Sequence, residues 1–118
     1  MQNINLEEKI FLAGSTGMVG NSIYKALKNK GYGNKNLGGE IFTPKRRELN
    51  LLHKSDVEKW FKSNQPSVVI IAAAKVGGIY ANFKKPADFI LENLKIQTNI
   101  IESAWQSNVK RLIFLGSS

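Results

Sequence analysis

Apolar residues along the chain follow two patterns that alternate from the N-terminus to the C-terminus. Short continuous runs predict four strands: Lys9–Ala13, Glu40–Thr43, Ser67–Ala74 and Arg111–Leu115. The third run, SVVIIAAA, is rich in β-branched residues and apolar after its first position, which is typical of a strand covered on both faces of a sheet.

Between these runs, apolar residues recur every three or four positions, as they do along one face of a helix. The predicted helices are Val19–Lys30, a second helix that begins near Ser55, and a long helix that begins at Pro86. Ser55 and Glu58 form a capping-box pattern that supports the second start. The predicted apolar faces are, in chain order, Val19, Ile23 and Leu27; Val57, Trp60 and Phe61; and Ile90, Leu94, Gln97, Ile101 and Ala104.

Strands and helices that alternate in this way predict a parallel sheet with right-handed crossovers. We expect an α/β fold of the Rossmann type: a doubly wound parallel sheet, present here in part, with strand order 3-2-1-4. The ligand crevice would then lie outside the C-terminal ends of the first and fourth strands. Residues 14–20 and 116–118 follow those two strands and contain glycines, so we predict a binding site at this edge.

Three glycines follow the first strand at three-residue intervals. Gly14 allows a sharp turn out of the strand, Gly17 lets a pyrophosphate approach the backbone, and Gly20 lets the next helix lie close to the sheet. That helix directs free amide groups and its positive dipole end at the anion. We therefore predict dinucleotide binding; the alternative is a turn without a ligand.

Composition limits the classes of protein that fit. A length of 118 residues, 42% of them apolar, suits one domain or part of one, and we assign residues 1–118 to a single dinucleotide-binding domain. The formal net charge of +8 indicates an anionic partner or a solvated lysine-rich surface. Because the lysines are scattered through helices and loops, we expect no nucleic-acid partner.

Cysteine is absent from the sequence, which excludes a disulfide framework and a thiolate metal site. No other cluster has metal-ligand spacing, so we predict no metal site. The longest apolar run, Val68–Ala74, is too short to cross a bilayer, and the N-terminal residues lack a signal-peptide pattern. We expect a soluble, cytoplasmic protein without a membrane partner.

The glycine spacing, Gly-x-x-Gly-x-x-Gly, resembles that of the extended short-chain dehydrogenase/reductases that act on nucleotide sugars. Later segments strengthen the resemblance: AAAKVGGIYAN (72–82), PADFILENL (86–94), QTNIIESA (97–104) and RLIFLGSS (111–118). Together they are similar to members of that family that epimerise and reduce a GDP-linked keto sugar. The resemblance covers nearly the whole chain, but only the N-terminal part of the much longer family members.

The end of the second strand bears on the choice of cofactor. Enzymes that use NAD usually carry Asp or Glu there to bind the ribose 2′-hydroxyl, whereas this chain continues as Thr43–Arg47, TPKRR. Guanidinium groups can bind a 2′-phosphate, which favours NADP. The resemblance identifies Arg46 as the main 2′-phosphate contact, although Thr16 stands where family members often carry a second arginine. A solvated basic loop is the alternative.

The resemblance and the predicted crevice together define a set of cofactor contacts. We expect these from Gly14, Ser15, Thr16, Gly17, Met18, Val19, Gly20, Arg46, Arg47, Leu51, Ala73, Leu115 and Gly116. The segment through Leu51 would pass the adenine.

The resemblance also implies catalysis by Ser, Tyr and Lys, with the tyrosine as the general acid. Ser117 matches the family's catalytic serine, which orients the keto oxygen. Tyr24 with Lys28, and Tyr80 with Lys84, match the Tyr-x-x-x-Lys pattern, but they precede the fourth strand and we treat them as coincidences. The catalytic Tyr and Lys, and the Cys and His that epimerise the sugar, are expected after residue 118.

The sequence thus predicts part of an NADP-dependent epimerase-reductase with a GDP-sugar substrate, and the resemblance implies that the full-length protein is a homodimer. One alternative is an NAD-dependent nucleotide-sugar epimerase or dehydratase, which the basic Arg46–Arg47 pair disfavours. Another is a dinucleotide-binding fragment without catalytic activity.

Overall fold

The computed structural model describes residues 4–72 and 86–115 and shows alternating strands and helices. The elements are β1 (Lys9–Ala13), α1 (Met18–Asn29), a 3₁₀ turn (Lys35–Leu37), β2 (Glu40–Phe42), α2 (Lys54–Asn64), β3 (Val68–Ala72), α3 (Pro86–Gln106) and β4 (Arg111–Leu115). Each predicted strand and helix is found close to its predicted bounds. Residues 73–74, the end of the third predicted strand, lie outside the described residues.

The strands form one parallel sheet in the order β2-β1-β3-β4. The α/β Rossmann-type class is confirmed, but the predicted order 3-2-1-4 is wrong, because β3 lies between β1 and β4. Burial explains this position. Every residue of β3 is buried, and only a central strand has neighbours on both sides and helices on both faces to cover it. The half-buried β2 occupies the edge instead.

The corrected order moves the crevice. β2 lies on one side of β1 in the sheet, and β3 lies on the other side. The direction in which successive strands are added therefore reverses between β1 and β3, and not between the first and fourth strands as predicted. Ala13 lies opposite Ile71 in the β1–β3 ladder, and both strands end at the same edge of the sheet. A ligand crevice is expected outside that edge.

Helices cover both faces of the sheet. On one face α2 and α3 bury the core residues Phe11, Val69, Ile71, Val57, Phe61, Ile100 and Ala104. On the other face Ile10, Leu12, Val68 and Ile70 are buried, with Ile23, Tyr24 and Leu27 of α1 packed against them. The predicted apolar face of α2 is confirmed. Of the three residues predicted for the apolar face of α1, Ile23 and Leu27 pack inward, whereas Val19 is 38% exposed.

The start of α2 differs from the prediction. The capping residue is His53, so Ser55 lies within the first turn and the predicted capping box of Ser55 and Glu58 is not the start of the helix. The imidazole Nδ1 of His53 lies 3.3 Å from a carboxylate oxygen of Asp56. This pair occupies the two positions that Ser55 and Glu58 were expected to fill.

The buried face of α3 also differs from the prediction, since Ile90, Leu94 and Ile101 are 55%, 54% and 40% exposed. Contacts with neighbouring segments explain the rotation of the helix. The amide Nδ2 of Asn99 donates to the carbonyl of Leu51 at 2.9 Å. Among residues 4–72 and 86–115, no helix, α3 included, has the length and apolar character needed to cross a membrane.

An ion pair joins α3 to α2. Lys54 Nζ of α2 lies 2.7 Å from a carboxylate oxygen of Glu102 of α3. The hydrogen bond and the negative charge of Glu102 raise the pKa of Lys54. Because both side chains are more than a third exposed, the pair contributes little to stability; the burial of Ile100 and Ala104 places Ile101 near the outer surface.

Candidate functional site

The chain leaves β1 through a glycine turn at the C-terminal edge of the sheet. Gly14 has a φ of +91°, the left-handed region that favours glycine. Its carbonyl oxygen accepts a hydrogen bond from the N–H of Gly17 at 3.1 Å. A Cβ built on Gly14 would lie 2.4 Å from the carbonyl oxygen of Ala72. Glycine is therefore required here both by the turn and by the end of β3.

Gly20 lies in the first turn of α1 and is buried. A Cβ built on it would lie 1.8 Å from the carbonyl oxygen of Gly14 and 2.9 Å from the Cα of Ser15. The close approach that Gly20 permits is thus to the glycine turn itself, not to the strands as predicted. Any side chain at this position would push the helix away from the turn.

Gly17 differs from the other two glycines, because the fold itself does not require it. It caps α1 with φ −77° and ψ 169°, a conformation that any residue can adopt. The nearest described atom to a Cβ built there is the carbonyl oxygen of Gly14, at an ordinary contact distance of 3.5 Å. The described residues therefore leave the space beside Gly17 open, as the approach of a phosphate group to the backbone would need.

The N-terminus of α1 is suited to an anion. Its first turn contains no acidic residue, so no carboxylate of that turn compensates the positive end of the helix dipole. Thr16 is exposed and Ser15 is half-buried in the turn before it. Backbone amides at such a helix start commonly bind phosphate.

The arginine segment lies next to the glycine turn. β2 pairs with β1 in parallel, with Phe42 opposite Phe11. Neighbouring strands are about 4.8 Å apart, so the segment after β2 leaves the sheet one strand away from the segment after β1. The structure thus brings two predicted parts of the cofactor site to one edge.

Residues 45–49 form a single helical turn after β2. The carbonyl oxygen of Lys45 accepts hydrogen bonds from the N–H groups of Glu48 at 2.8 Å and Leu49 at 2.9 Å. Leu49 is buried in the core, whereas Arg46 and Arg47 are exposed. The turn, which we call the arginine turn, thus presents both guanidinium groups to solvent from an anchored backbone.

Glu48 is the residue of this turn that the sequence analysis missed. Its carboxylate Oε1 accepts a hydrogen bond from the N–H of Lys45 at 3.1 Å. The three-residue spacing of Lys45 and Glu48, which matches the second half of a capping box, is a signal that could have identified it.

The remaining predicted residues are only partly described. Leu51 is half-buried and packs against the core, and Leu115, at the end of β4, is 37% exposed. Ala73, Gly116 and Ser117 lie outside the described residues, as do Tyr80 and Lys84. Their predicted positions and roles stay predictions.

Tyr24 is the tyrosine of the first Tyr-x-x-x-Lys match, and the structure describes what its side chain contacts. Its side chain packs against the buried cluster between α1 and the sheet. This packing is consistent with treating the Tyr24–Lys28 match as a coincidence.

Within the described residues, no group of three or more His, Asp or Glu side chains is arranged to hold a metal ion.

Comparison with known proteins gives a family match over most of the chain. The sequence profile of the NAD dependent epimerase/dehydratase family matches residues 10–118. GDP-L-fucose synthase 1 of Arabidopsis thaliana is 49% identical over 110 residues, which are 93% of this chain and 32% of that protein. GDP-L-fucose synthase of Escherichia coli K12 is 45% identical over 112 residues, 95% of this chain and 33% of that protein.

A solved structure shares both the sequence pattern and the fold. The GDP-mannoheptose C4 reductase of Campylobacter jejuni, solved with NADP bound, is 35% identical with a TM-score of 0.82, and the match covers 97% of this chain and 34% of that one. The chain thus spans about a third of the length of the relatives that it matches.

Proposed function

The chain belongs to the NAD dependent epimerase/dehydratase family, and on this basis we propose that it is the dinucleotide-binding part of a GDP-L-fucose synthase. The full-length protein converts GDP-4-keto-6-deoxy-D-mannose to GDP-L-fucose by epimerisation and NADPH-dependent reduction. The identities of 49% and 45% to two GDP-L-fucose synthases support this substrate. A GDP-sugar and a second copy of the full-length chain are the partners that the proposal implies.

The observation that supports the cofactor site most directly is the open space beside Gly17. A dinucleotide's pyrophosphate fits there against the backbone and the N-terminus of α1, because a Cβ built on Gly17 has no close neighbour among the described atoms. The exposed Arg46 and Arg47 of the arginine turn then face the ribose side of the ligand, where NADP carries its 2′-phosphate. NADPH supplies the hydride; the residues of this chain hold and orient it.

In this proposal Ser117 orients the keto oxygen of the sugar, and a tyrosine after β4, beyond residue 118, donates the proton to the developing alkoxide. A serine hydroxyl is too weak an acid to replace that tyrosine. Ser117 therefore contributes to geometry and hydrogen bonding rather than to proton transfer.

A second candidate is a reductase of another GDP-linked sugar. The likeness to the GDP-mannoheptose C4 reductase favours it, since that protein shares 35% identity with this chain over nearly its whole length. An NAD-dependent epimerase or dehydratase is less favoured, because Arg46 and Arg47 stand where such enzymes usually place a carboxylate.

The test of the proposed function uses the full-length protein. NADPH oxidation is followed with GDP-4-keto-6-deoxy-D-mannose and, separately, with a GDP-linked 4-keto heptose, and the products are identified by mass and by retention on a column. Efficient conversion of the first compound to GDP-L-fucose is expected. Turnover of the heptose alone would favour the second candidate and contradict the first.

The arginine turn makes a separate prediction about cofactor choice. In the full-length protein, NADPH should bind more tightly than NADH, and Arg46→Ala should remove most of that difference. The lost contact between guanidinium and 2′-phosphate is worth about 1–3 kcal/mol, which corresponds to roughly 5- to 150-fold in affinity. Fluorescence titration with both nucleotides measures the two dissociation constants.

Arg47→Ala is the matched control for Arg46→Ala, since it removes the same group from the neighbouring exposed position. A smaller loss of NADPH affinity is expected from it, and NADH affinity should change little in either variant. Equal affinities for NADPH and NADH in the unmutated protein would rule out a 2′-phosphate site.

A further inference from the structure

The arginine turn is held by both the backbone and a side chain of the same short segment. Lys45 occupies the N-cap position and Glu48 the N3 position of a single helical turn. The Glu48 carboxylate accepts from the N–H of Lys45 at 3.1 Å, and the carbonyl of Lys45 accepts from the N–H of Glu48 at 2.8 Å. This reciprocal pair closes the backbone around Arg46 and Arg47.

The hydrogen bond from the Lys45 amide to the Glu48 carboxylate matters more for the stability of this turn than it would at the start of a long helix. The turn ends at Leu49 without continuing as a helix, so only two backbone hydrogen bonds from Lys45 hold it. A single helical turn is unstable in isolation, because several backbone dihedrals are fixed for very few hydrogen bonds. Leu49 anchors the C-terminal end in the core, and Glu48 is the side chain that fixes the N-terminal end.

The charge of Glu48 also has to be considered, because a carboxylate near a phosphate site repels the phosphate. In NAD-dependent enzymes an acidic residue after the second strand binds the ribose hydroxyl. Here the carboxylate is bonded to the turn's own backbone, while the adjacent side chains that reach solvent carry positive charge. Glu48 is exposed like its neighbours, but its hydrogen bond to Lys45 ties the carboxylate to the backbone of the turn, while the guanidinium groups of Arg46 and Arg47 are left for the ligand.

We propose that Glu48 is a positioning residue for recognition of the 2′-phosphate of NADP. Its bond to the Lys45 amide fixes the arginine turn, and the turn fixes the direction in which Arg46 and Arg47 leave the backbone. Glu48 acts through these arginines and does not touch the ligand. The inference rests on the proposed NADP-dependent function and adds a specificity-determining residue to it.

The test compares Glu48→Ala with Glu48→Gln in the full-length protein and uses two ligands that differ only in the 2′-phosphate. Dissociation constants of adenosine 2′,5′-bisphosphate (2′,5′-ADP) and of 5′-AMP are measured by calorimetry. Glu48→Ala should weaken binding of 2′,5′-ADP by about five- to tenfold, in line with the loss of a helix cap, and leave the affinity for 5′-AMP within about twofold. Glu48→Gln should retain the affinity, because its amide oxygen also accepts from Lys45.

A readout that does not depend on any ligand is amide hydrogen exchange at Lys45. Exchange should be faster in Glu48→Ala than in the unmutated protein and in Glu48→Gln. In the double variant Arg46→Ala/Glu48→Ala the losses of 2′,5′-ADP affinity should be less than additive, since part of the effect of Glu48 passes through Arg46; fully additive losses would contradict the positioning role.

Different failures have different meanings. If the unmutated protein does not distinguish 2′,5′-ADP from 5′-AMP, the NADP proposal and the role of Glu48 are both wrong. If it does distinguish them and Glu48→Ala changes neither affinity, or weakens both ligands equally, only the role of Glu48 is overturned. Failure of Glu48→Gln to retain 2′,5′-ADP affinity would equally overturn the positioning role.

Discussion

Gly17→Val in the full-length protein is expected to reduce NADPH binding below detection while leaving the fold largely intact. The valine side chain would fill the space in which a pyrophosphate meets the backbone. The backbone conformation of residue 17, φ −77° and ψ 169°, is acceptable for valine. Replacing glycine at a helix N-cap with valine costs only about 1 kcal/mol, so the melting temperature should fall slightly. Fluorescence titration and circular dichroism measure the two effects.

Gly20→Ala is the contrasting variant, because it adds a smaller group at a position without room for it. The new Cβ would lie 1.8 Å from the carbonyl oxygen of Gly14, so this variant should lose both binding and much of its thermal stability. The two substitutions therefore separate a ligand-contact role from a packing role. Unchanged NADPH affinity in Gly17→Val would mean that the glycine turn binds no dinucleotide there.

Residues 1–118 produced alone are expected not to catalyse the reduction. Hydride transfer to a keto sugar needs a proton donor at the developing alkoxide, and in our proposal that donor is a tyrosine after residue 118. NADPH oxidation with GDP-4-keto-6-deoxy-D-mannose measures the activity. Turnover by the purified fragment at a normal enzymatic rate would contradict this and would point to Tyr24 or Tyr80; Tyr24→Phe and Tyr80→Phe would then identify the donor.

The same fragment is expected to be weakly stable and to aggregate. Leu112 and Phe114 of the edge strand β4 are 42% and 47% exposed, and Trp105 of α3 is 78% exposed. An apolar edge strand with unpaired backbone groups promotes association with other chains. Phe114→Lys should therefore reduce aggregation measured by light scattering. Gln106→Lys is the matched control, since it adds the same charge at an exposed polar position of α3, and it should have a much smaller effect.

The alternation of strands and helices could be predicted from the sequence because both periodicities are strong. The strand order required a further step, and the decisive residues were visible: Val68–Ala72 are all apolar, and only a central strand buries every residue. Glu40–Phe42, which begins with a charge, suits an edge. The order 3-2-1-4 placed the third strand, Ser67–Ala74, outside the second, whereas in the structure β3 pairs with β1 on the side opposite β2.

Tertiary contacts explain the errors in the helices. Apolar residues occur on more than one side of α3, so periodicity alone could not determine which side is buried. The side of α3 that packs inward carries Ile100 and Ala104, and two polar contacts accompany it: Asn99 bonds the carbonyl of Leu51, and Glu102 pairs with Lys54. The partners of both residues lie far away along the chain, so the local pattern contains no record of them.

The candidate site also contains features that local sequence predicts and features that only the structure shows. The left-handed turn at Gly14 follows from local chemistry, since glycine after a strand is the usual residue there. The contact of Gly20 with the turn, and the absence of such a contact at Gly17 among the described residues, depend on the path of the whole loop. The distinction between a glycine required for packing and one left open for a ligand therefore needed the structure.

The close approach of Gly20 to Gly14 packs the glycine turn against the first turn of α1 with no room for a side chain between them, so the fold itself places the backbone of the turn. Ordering a flexible loop costs about 1–2 kcal/mol of conformational entropy per residue, and here that ordering is complete once the chain has folded. A phosphate that binds at the proposed site would meet amide groups that are already preorganised. Association is then governed by diffusion and by attraction to a positively charged protein, and a single concentration-dependent phase in stopped-flow binding is the kinetic signature of such a site.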